Sequence, residues 1–177
     1  FKPDGRSEAM PENRRDLLNA YDNTIRYTDY ILHGIVERLQ KWEKTQAKTD
    51  GVYSQPTSAM LYTSDHGENI FDDDRRLFLH AAPKASDYEL HVPFIIWTSS
   101  GYGKQYPGIL KTLSGHRTQQ VQTSLSAFHT MLGIGGIQTR YRLDEYSVAS
   151  GKYHPTKLLY LDDHDEAIPQ EDAKFLR

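Results

Sequence analysis

The chain has 177 residues, with 24 acidic and 21 basic side chains and a net charge of −3, so its charge gives no electrostatic basis for binding nucleic acid. No apolar run approaches the roughly 20 residues that a membrane-spanning helix needs, and the first residues do not have the pattern of a signal peptide, so we expect this chain on its own to be soluble. Cysteine is absent, which excludes disulfides and thiolate zinc ligands and leaves histidine, carboxylate and hydroxyl groups to hold any metal.

The first predicted element is a long helix. From about Arg14, apolar residues recur at spacings of three and four, which predicts an amphipathic helix of roughly 25 residues that ends in the polar run at residues 41–51. One stripe of this helix is expected to face the core, and its members are Leu17, Leu18, Tyr21, Ile25, Thr28, Leu32, Ile35 and Leu39.

Two short apolar segments follow the helix and predict buried strands. Residues 58–62 form the first, and residues 92–97 form the second. The second is apolar almost throughout, which is typical of a strand buried on both faces. Between them, residues 67–91 make a long charged connection, and connections of this length in compact domains are usually functional or mobile.

The rest of the chain continues to alternate between predicted elements. Residues 99–108 are rich in Gly, Ser and Tyr and predict a loop, residues 118–132 predict a helix that stops at glycines, and residues 157–161 predict a final strand. This alternation predicts an α/β fold, a layered sheet flanked by helices, over residues 1–177. Two or three strands are few for a sheet covered by two helices, so we expect the chain to be part of a larger domain.

The strongest candidate site follows the first predicted strand. Asp65 and His66 are neighbours there, and because adjacent residues on a strand face opposite sides, both can reach one ion only where the strand ends and the backbone turns. Gly67 is expected to supply that turn through a positive φ. The carboxyl ends of strands are also where α/β folds place ligands. The pattern predicts half of a zinc site; the alternative is an ordinary turn, which Asp and Gly also favour.

Other side chains near this segment are weaker candidates. His80 lies on the connection that leaves the pair, and it is either functional or a buried structural histidine. Glu68 either orients a ligating histidine or is an ordinary exposed carboxylate. The acidic run at residues 72–74 lacks the spacing of a calcium-binding loop, so we expect it to be a solvated charge cluster.

The remaining histidines and carboxylates have less support. His91 precedes the second strand and could face the same site, whereas His129 is expected on the packed face of its helix. Asp22 and Asp29 share a helix face, which exposure or capping explains. The sequence has no Gly-x-Ser-x-Gly elbow and no phosphate-cradling glycine loop, so it offers no nucleophile. Four further histidines have no supporting context: His33, His116, His154 and His164.

Several segments occur in the order seen in phosphoethanolamine transferases, inner-membrane enzymes of Gram-negative bacteria within the alkaline phosphatase/sulfatase superfamily. The chain resembles this family over about residues 15–150. The segments that carry the resemblance are Asn19-Ala20-Tyr21-Asp22-Asn23 with Tyr27-Thr28-Asp29, Thr63-Ser64-Asp65-His66-Gly67-Glu68, Leu79-His80, Val92-Pro93-Phe94-Ile95-Ile96-Trp97 and Phe128-His129-Thr130-Met131-Leu132-Gly133. The first of these is the most specific to the family.

The resemblance implies a fold, a reaction and a set of roles. The fold would be the C-terminal part of an alkaline-phosphatase-like layered sheet flanked by helices. The reaction would be zinc-dependent transfer of phosphoethanolamine from phosphatidylethanolamine to lipopolysaccharide, at lipid A or the core. Asp65 and His66 would be zinc ligands, and His80 would bind the phosphoryl group, or a second zinc, on the leaving-group side.

The family's threonine nucleophile, its glutamate zinc ligand and a further histidine precede the matched region, as does its membrane domain. We therefore expect this chain to be inactive alone, and the intact protein to lie in the inner membrane with its catalytic domain in the periplasm. The chain departs from well-known members by lacking cysteine and by the acidic content of the loop before His80.

Two other interpretations stay open. One is a hydrolase of the same superfamily, a sulfatase or a phosphodiesterase, in which water is the final acceptor. The other is a non-catalytic α/β module that binds a partner or a glycan and carries a degenerate site.

Overall fold

A computed structural model of the chain describes residues 9–46, 56–80, 84–162 and 164–172. The chain divides into two compact units, which are described separately. The first comprises residues 1–37, 64–92 and 160–177, and the second comprises residues 38–63 and 93–159. The part of the predicted polar run at residues 47–51 lies outside the described residues.

Helix α1 spans Arg14–Gln46 and follows a 3₁₀ turn at Pro11–Asn13. Its start confirms the prediction, but its 33 residues exceed the expected length, since most of the polar residues that follow position 40 are good helix formers. Leu17 is buried, whereas Ile25 and Ile35 are 53% and 41% exposed. The predicted core stripe is therefore wrong at these two positions, because periodicity marks an apolar face but only a neighbouring element can bury it.

Strand β1, Ala59–Thr63, pairs antiparallel with strand β4, Phe94–Thr98. Both predicted strands are confirmed to within two residues. The expectation that the second is buried on both faces is wrong, since Ile95 is 46% exposed. The physical reason is the antiparallel pairing, which allows one face of a sheet to remain open.

The connection between these strands contains regular structure. Strands β2, Asn69–Ile70, and β3, Phe78–Leu79, form an antiparallel hairpin, and a short helix α2 spans Asp87–Leu90. The rings of Phe71 and Phe78 stack with centroids 5.2 Å apart, which ties the two arms of the hairpin together.

The acidic run at residues 72–74 is part of this hairpin and is not the solvated cluster that the sequence predicted. Asp72 is 11% exposed and lies 2.6 Å from Arg14 Nη2, while Asp73 is 8% exposed and lies 2.6 Å from Arg75 Nη2. Asp74 alone of the three is exposed. The pattern of three aspartates could not reveal this, because Arg14 is 58 residues distant in sequence.

In the second unit, helices α3, Ser100–Gln105, and α4, Pro107–His116, replace the loop predicted at residues 99–108. Ser99 Oγ accepts a hydrogen bond from Tyr102 N at 3.1 Å and so caps α3. Pro107 is the first residue of α4, a position that suits its fixed φ and its missing N–H.

Helix α5, Thr123–Ile134, confirms the helix predicted near residues 118–132 but not its packed face. Phe128 and Met131 are 55% and 60% exposed. The buried positions carry small side chains instead: Ser126, Thr130 and Gly133.

The last strands are β5, Leu159–Leu161, which confirms the final predicted strand, and β6, Ala167–Pro169. The strands of the described residues form three two-stranded sheets, and helices alternate with them along the chain, as the α/β prediction required. None of the helices in the described residues is long and apolar enough to cross a membrane.

Candidate metal site

The register of the β2–β3 hairpin brings Glu68 and His80 together. Asn69 pairs with Leu79 in that hairpin, so the residue before β2 and the residue after β3 come next across the ladder. His80 Nδ1 lies 3.0 Å from each oxygen of the Glu68 carboxylate. A sequence separation of 12 residues is thus closed by the hairpin.

The backbone turns sharply just before His80. Leu79 has a φ of +65°, in the left-handed region that bulky side chains rarely adopt. Strained conformations of this kind persist only where the surrounding structure holds them, and they cluster at functional sites. Here the turn directs His80 out of the hairpin towards the residues that follow β1.

The ring of His66 lies next to the ring of His80. Its Nδ1 lies 2.9 Å from the carbonyl oxygen of Gly67, so a neutral imidazole that donates there carries its lone pair on Nε2. The rings of His66 and His80 are tilted towards each other with centroids 3.8 Å apart. The side chain of His66 is 37% exposed, which leaves it accessible.

Asp65 lies beside His66 and is 88% exposed. Its Oδ1 accepts a hydrogen bond from His66 N at 3.1 Å, and its Oδ2 lies 3.8 Å from His66 Nε2. The pKa of Asp65 is lowered by hydrogen bonds from its own backbone N–H and that of His66, and by the charge of His66. Asp65 is therefore a carboxylate at neutral pH with one oxygen directed towards the histidine.

Gly67 has a different role from the one the sequence predicted. Among the described glycines only Gly136 has a positive φ, so the expected left-handed turn at Gly67 is wrong. The requirement for glycine comes from close packing. Gly67 N donates to Glu89 O at 2.7 Å, and a Cβ on Gly67 would overlap the carbonyl oxygen of Tyr88 and lie 3.2 Å from its carbonyl carbon.

Three of the sequence-predicted residues thus form one group. His66, Glu68 and His80 each offer a ligand atom, and these atoms lie within 4.8 Å of one another. Asp65 is outside that group but adjacent to His66. Imidazole nitrogen and carboxylate oxygen are ligands that zinc accepts, and two such ligands around a tetrahedral ion lie roughly 3.4 Å apart, close to the spacing of Asp65 Oδ2 and His66 Nε2.

Glu68 has two possible roles in this group, as a ligand or as a residue that orients His80. Both of its oxygens contact His80 Nδ1. Since metal-ligating histidines usually donate their second ring N–H to a carboxylate, this geometry favours the orienting role.

The other candidates lie elsewhere. His91 is exposed and is not in the group, and Asp22 and Asp29 are exposed on α1. In the second unit, His116 Nδ1 donates to Val148 O at 2.8 Å, as expected of a structural histidine. His129 Nδ1 accepts from Leu143 N at 3.2 Å and its ring contacts Tyr146, so it serves packing, as predicted.

Sequence reasoning missed the segment Ser86–Glu89, which packs against Gly67. The signal was present, because Ser-x-x-Glu is the capping-box sequence that starts a helix. What the sequence did not give is the position of this turn against the candidate ligands.

Comparison with known proteins defines the class. The sulfatase family model matches residues 1–137, and the chain belongs to this family. Its curated relatives include phosphoethanolamine transferase EptA of Salmonella typhimurium, 30% identical over 83% of this chain and 24% of that protein. They also include EptA of Escherichia coli K12, which is 30% identical over 76% of this chain and 23% of that protein. Phosphatidylethanolamine transferase Mcr-1 of Escherichia coli is 33% identical over 50% of this chain and 15% of that protein. The chain spans about a quarter of the length of the first of these relatives.

Two solved structures are similar. The C-terminal periplasmic domain of phosphoethanolamine transferase EptC from Campylobacter jejuni aligns with a TM-score of 0.63 and 26% identity, over 81% of this chain and 41% of that domain. The corresponding domain of EptC from Escherichia coli aligns with a TM-score of 0.74 and 18% identity, over 98% of this chain and 47% of that domain. At this identity the similarity supports the fold and nothing further. The predicted family resemblance and the α/β, alkaline-phosphatase-like fold class are confirmed, for a chain that covers part of the domain.

Proposed function

We propose that the protein to which this chain belongs transfers phosphoethanolamine from phosphatidylethanolamine to lipopolysaccharide, at lipid A or the core, in a zinc-dependent reaction. The observation that carries the proposal is the convergence of His66, Glu68 and His80, with Asp65 alongside, in a chain whose relatives are named phosphoethanolamine transferases.

Each residue has a role that follows from its contacts. Asp65 Oδ2 and His66 Nε2 would hold the zinc ion, since the other polar atom of each side chain is already engaged by the backbone. When bound, zinc lowers the pKa of an attacking hydroxyl and neutralises phosphoryl charge. Glu68 fixes the tautomer of His80 by accepting from Nδ1, which leaves Nε2 of His80 to contact the phosphoryl group, or a second zinc ion, on the leaving-group side.

The nucleophile is expected outside this chain. We propose that the intact protein lies in the inner membrane with this domain in the periplasm, which is supported by the similar Campylobacter jejuni domain being described as periplasmic. By itself the purified chain should transfer no phosphoethanolamine. Turnover of a phosphatidylethanolamine donor by the isolated chain would contradict that expectation.

Zinc titration by calorimetry tests the metal site directly. We expect binding by the wild-type chain, its loss in His66→Ala and a weaker affinity in His80→Ala. His91→Ala is the matched control, because His91 belongs to the same unit but not to the ligand group. Equal binding by all four proteins, or no effect of His66→Ala, would refute these ligand roles.

A chimaera tests the reaction. The region of Salmonella typhimurium EptA that matches this chain would be replaced by it, and transfer of phosphoethanolamine to lipid A would be measured by mass spectrometry. We expect transfer by the chimaera and none by its His66→Ala variant. A chimaera that contains zinc but transfers nothing would count against the transferase assignment.

The alternative is a sulfatase or phosphodiesterase, which is favoured by the match to the sulfatase family. Both reactions would use the same metal residues, so the products decide. Release of sulfate from an aryl sulfate, or of phosphoethanolamine into water with no acceptor modified, would support the hydrolase.

A further inference from the structure

We infer that Glu89 is a positioning residue for the candidate metal site. Its buried side chain closes the turn Ser86–His91, and this turn fixes the backbone on both sides of Glu68. The inference rests on the proposed metal site and adds a residue that supplies none of its ligands.

The side chain of Glu89 is held inside its own turn. Glu89 is 4% exposed, and its Oε2 accepts hydrogen bonds from Ser86 N at 2.7 Å and from Ser86 Oγ at 2.8 Å. A buried carboxylate is stable only when it is hydrogen-bonded, and here both donors come from one residue. Because helix α2 has four residues, too few for a helix to be stable by itself, its shape depends on this closure.

The closed turn contacts the chain at two points, one on each side of Glu68. On one side, the carbonyl oxygen of Glu89 accepts from Gly67 N at 2.7 Å, and the carbonyl group of Tyr88 packs against the Gly67 Cα. On the other side, Ser86 Oγ accepts from Asn69 Nδ2 at 3.1 Å. Gly67 and Asn69 are the two neighbours of Glu68 in the chain.

Asn69 makes the second contact rigid. It is fully buried, and its Oδ1 accepts from Asp72 N at 3.1 Å, which ties the turn to the hairpin. The network Glu89–Ser86–Asn69 therefore sets where Glu68 lies, and Glu68 in turn holds His80. Loosening this network should change the spacing of His66 and His80. Because metal–ligand distances lie within about 0.2 Å of their standard values, such a change should weaken metal binding.

The test compares three variants of the full chain. Glu89→Ala removes the acceptor, whereas Glu89→Gln keeps an oxygen that can accept from both Ser86 donors. Asp87→Ala is the matched control, because Asp87 lies in the same turn but accepts from Gln170 Nε2 instead. Two properties are measured: the nuclear Overhauser effect between the rings of His66 and His80 without metal, and zinc affinity by calorimetry.

We expect Glu89→Ala to weaken the ring-to-ring effect and to lower zinc affinity about tenfold or more, the usual loss when a residue that orients a ligand is removed. Glu89→Gln and Asp87→Ala should resemble the wild-type chain in both measurements. Rescue by glutamine separates positioning through hydrogen bonds from a general loss of packing. If Glu89→Ala does not fold, Ser86→Ala replaces it, since that variant removes the hydroxyl that links Glu89 to Asn69.

Three results would overturn the inference: a ring-to-ring effect unchanged in Glu89→Ala or Ser86→Ala, an equal loss in Asp87→Ala, or no such effect in the wild-type chain. A wild-type chain that shows the ring contact but binds no zinc would refute the metal site alone. The ring contact would still decide the positioning role of Glu89.

Discussion

The replacement of Gly67 by alanine is the sharpest test of the packing beside the candidate metal site. Gly67 lies against the carbonyl group of Tyr88, and a Cβ would overlap that oxygen. Neither partner can move cheaply, because both are backbone atoms and Gly67 N also donates to Glu89 O at 2.7 Å. The variant must therefore separate the two segments.

The expected cost has two parts. Inserting a methyl group into a well-packed contact costs about 1–3 kcal/mol, and the loss of one backbone hydrogen bond adds about 0.5–1.5 kcal/mol. The sum is about 1.5–4.5 kcal/mol in the free energy of unfolding. In a chain of this size each kcal/mol lowers the melting temperature by about 2–4 °C, so a decrease near 10 °C is expected.

Thermal unfolding followed by circular dichroism gives the measurement, and Gly34→Ala is the control. Gly34 lies inside α1, and a Cβ added there would meet no atom within 4 Å, so alanine at this position should stabilise the chain by about 0.5–1 kcal/mol. A Gly67→Ala protein that melts with the wild-type chain would show that the close approach of Tyr88 is absent in solution.

Three further predictions concern the acidic hairpin and the histidine pair. Arg14→Ala should lower the free energy of unfolding by about 1–2 kcal/mol, measured by urea unfolding, because it removes the ion pair with Asp72. The Arg14 side chain is 42% exposed, which limits the loss. The pKa of Asp73 is below its ordinary 3.8, since burial would raise it but the adjacent arginine outweighs burial. Its contribution is thus present above about pH 3.8 and lost as pH falls through the lower folded-state pKa, so the stability gap between wild type and Asp73→Asn should shrink in acid. Glu68→Gln should weaken zinc binding in calorimetry about 10–100-fold, because it removes the carboxylate charge that raises the basicity of the His80 ring.

Each of these predictions has a control of the same chemical type. Arg15→Ala and Asp74→Asn remove exposed charges next to the tested ones and should leave stability within about 0.5 kcal/mol of wild type. Glu166→Gln, at an exposed position of the same unit, should leave zinc binding unchanged. A control that behaves like its test variant would assign the effect to net charge rather than to the contact.

Most helices and strands could be predicted from the short stretches of sequence that form them. The start of α1 at Arg14 and the existence of β1, β4, α5 and β5 were predictable, because apolar periodicity and turn residues act over a few positions. The helices at Ser100–Gln105 and Pro107–His116 were missed although their signals, a serine cap and a proline at the first helical position, are equally local. They were missed because residues 99–108 are rich in glycine and tyrosine, a composition that predicts a loop.

The site divides in the same way. The sequence by itself determined the candidate ligand types: adjacent Asp65 and His66 after a strand, and a histidine further along the chain. Only the tertiary structure decided that His80 meets Glu68, because a hairpin register fixes that pair, and that Gly67 is needed for the approach of Tyr88 rather than for its φ. The burial of Asp72 against Arg14 was likewise decided by tertiary structure. Each residue type fixes which ligand atoms its side chain offers. Contacts between distant segments depend on how the whole chain packs, and no short sequence pattern specifies that packing.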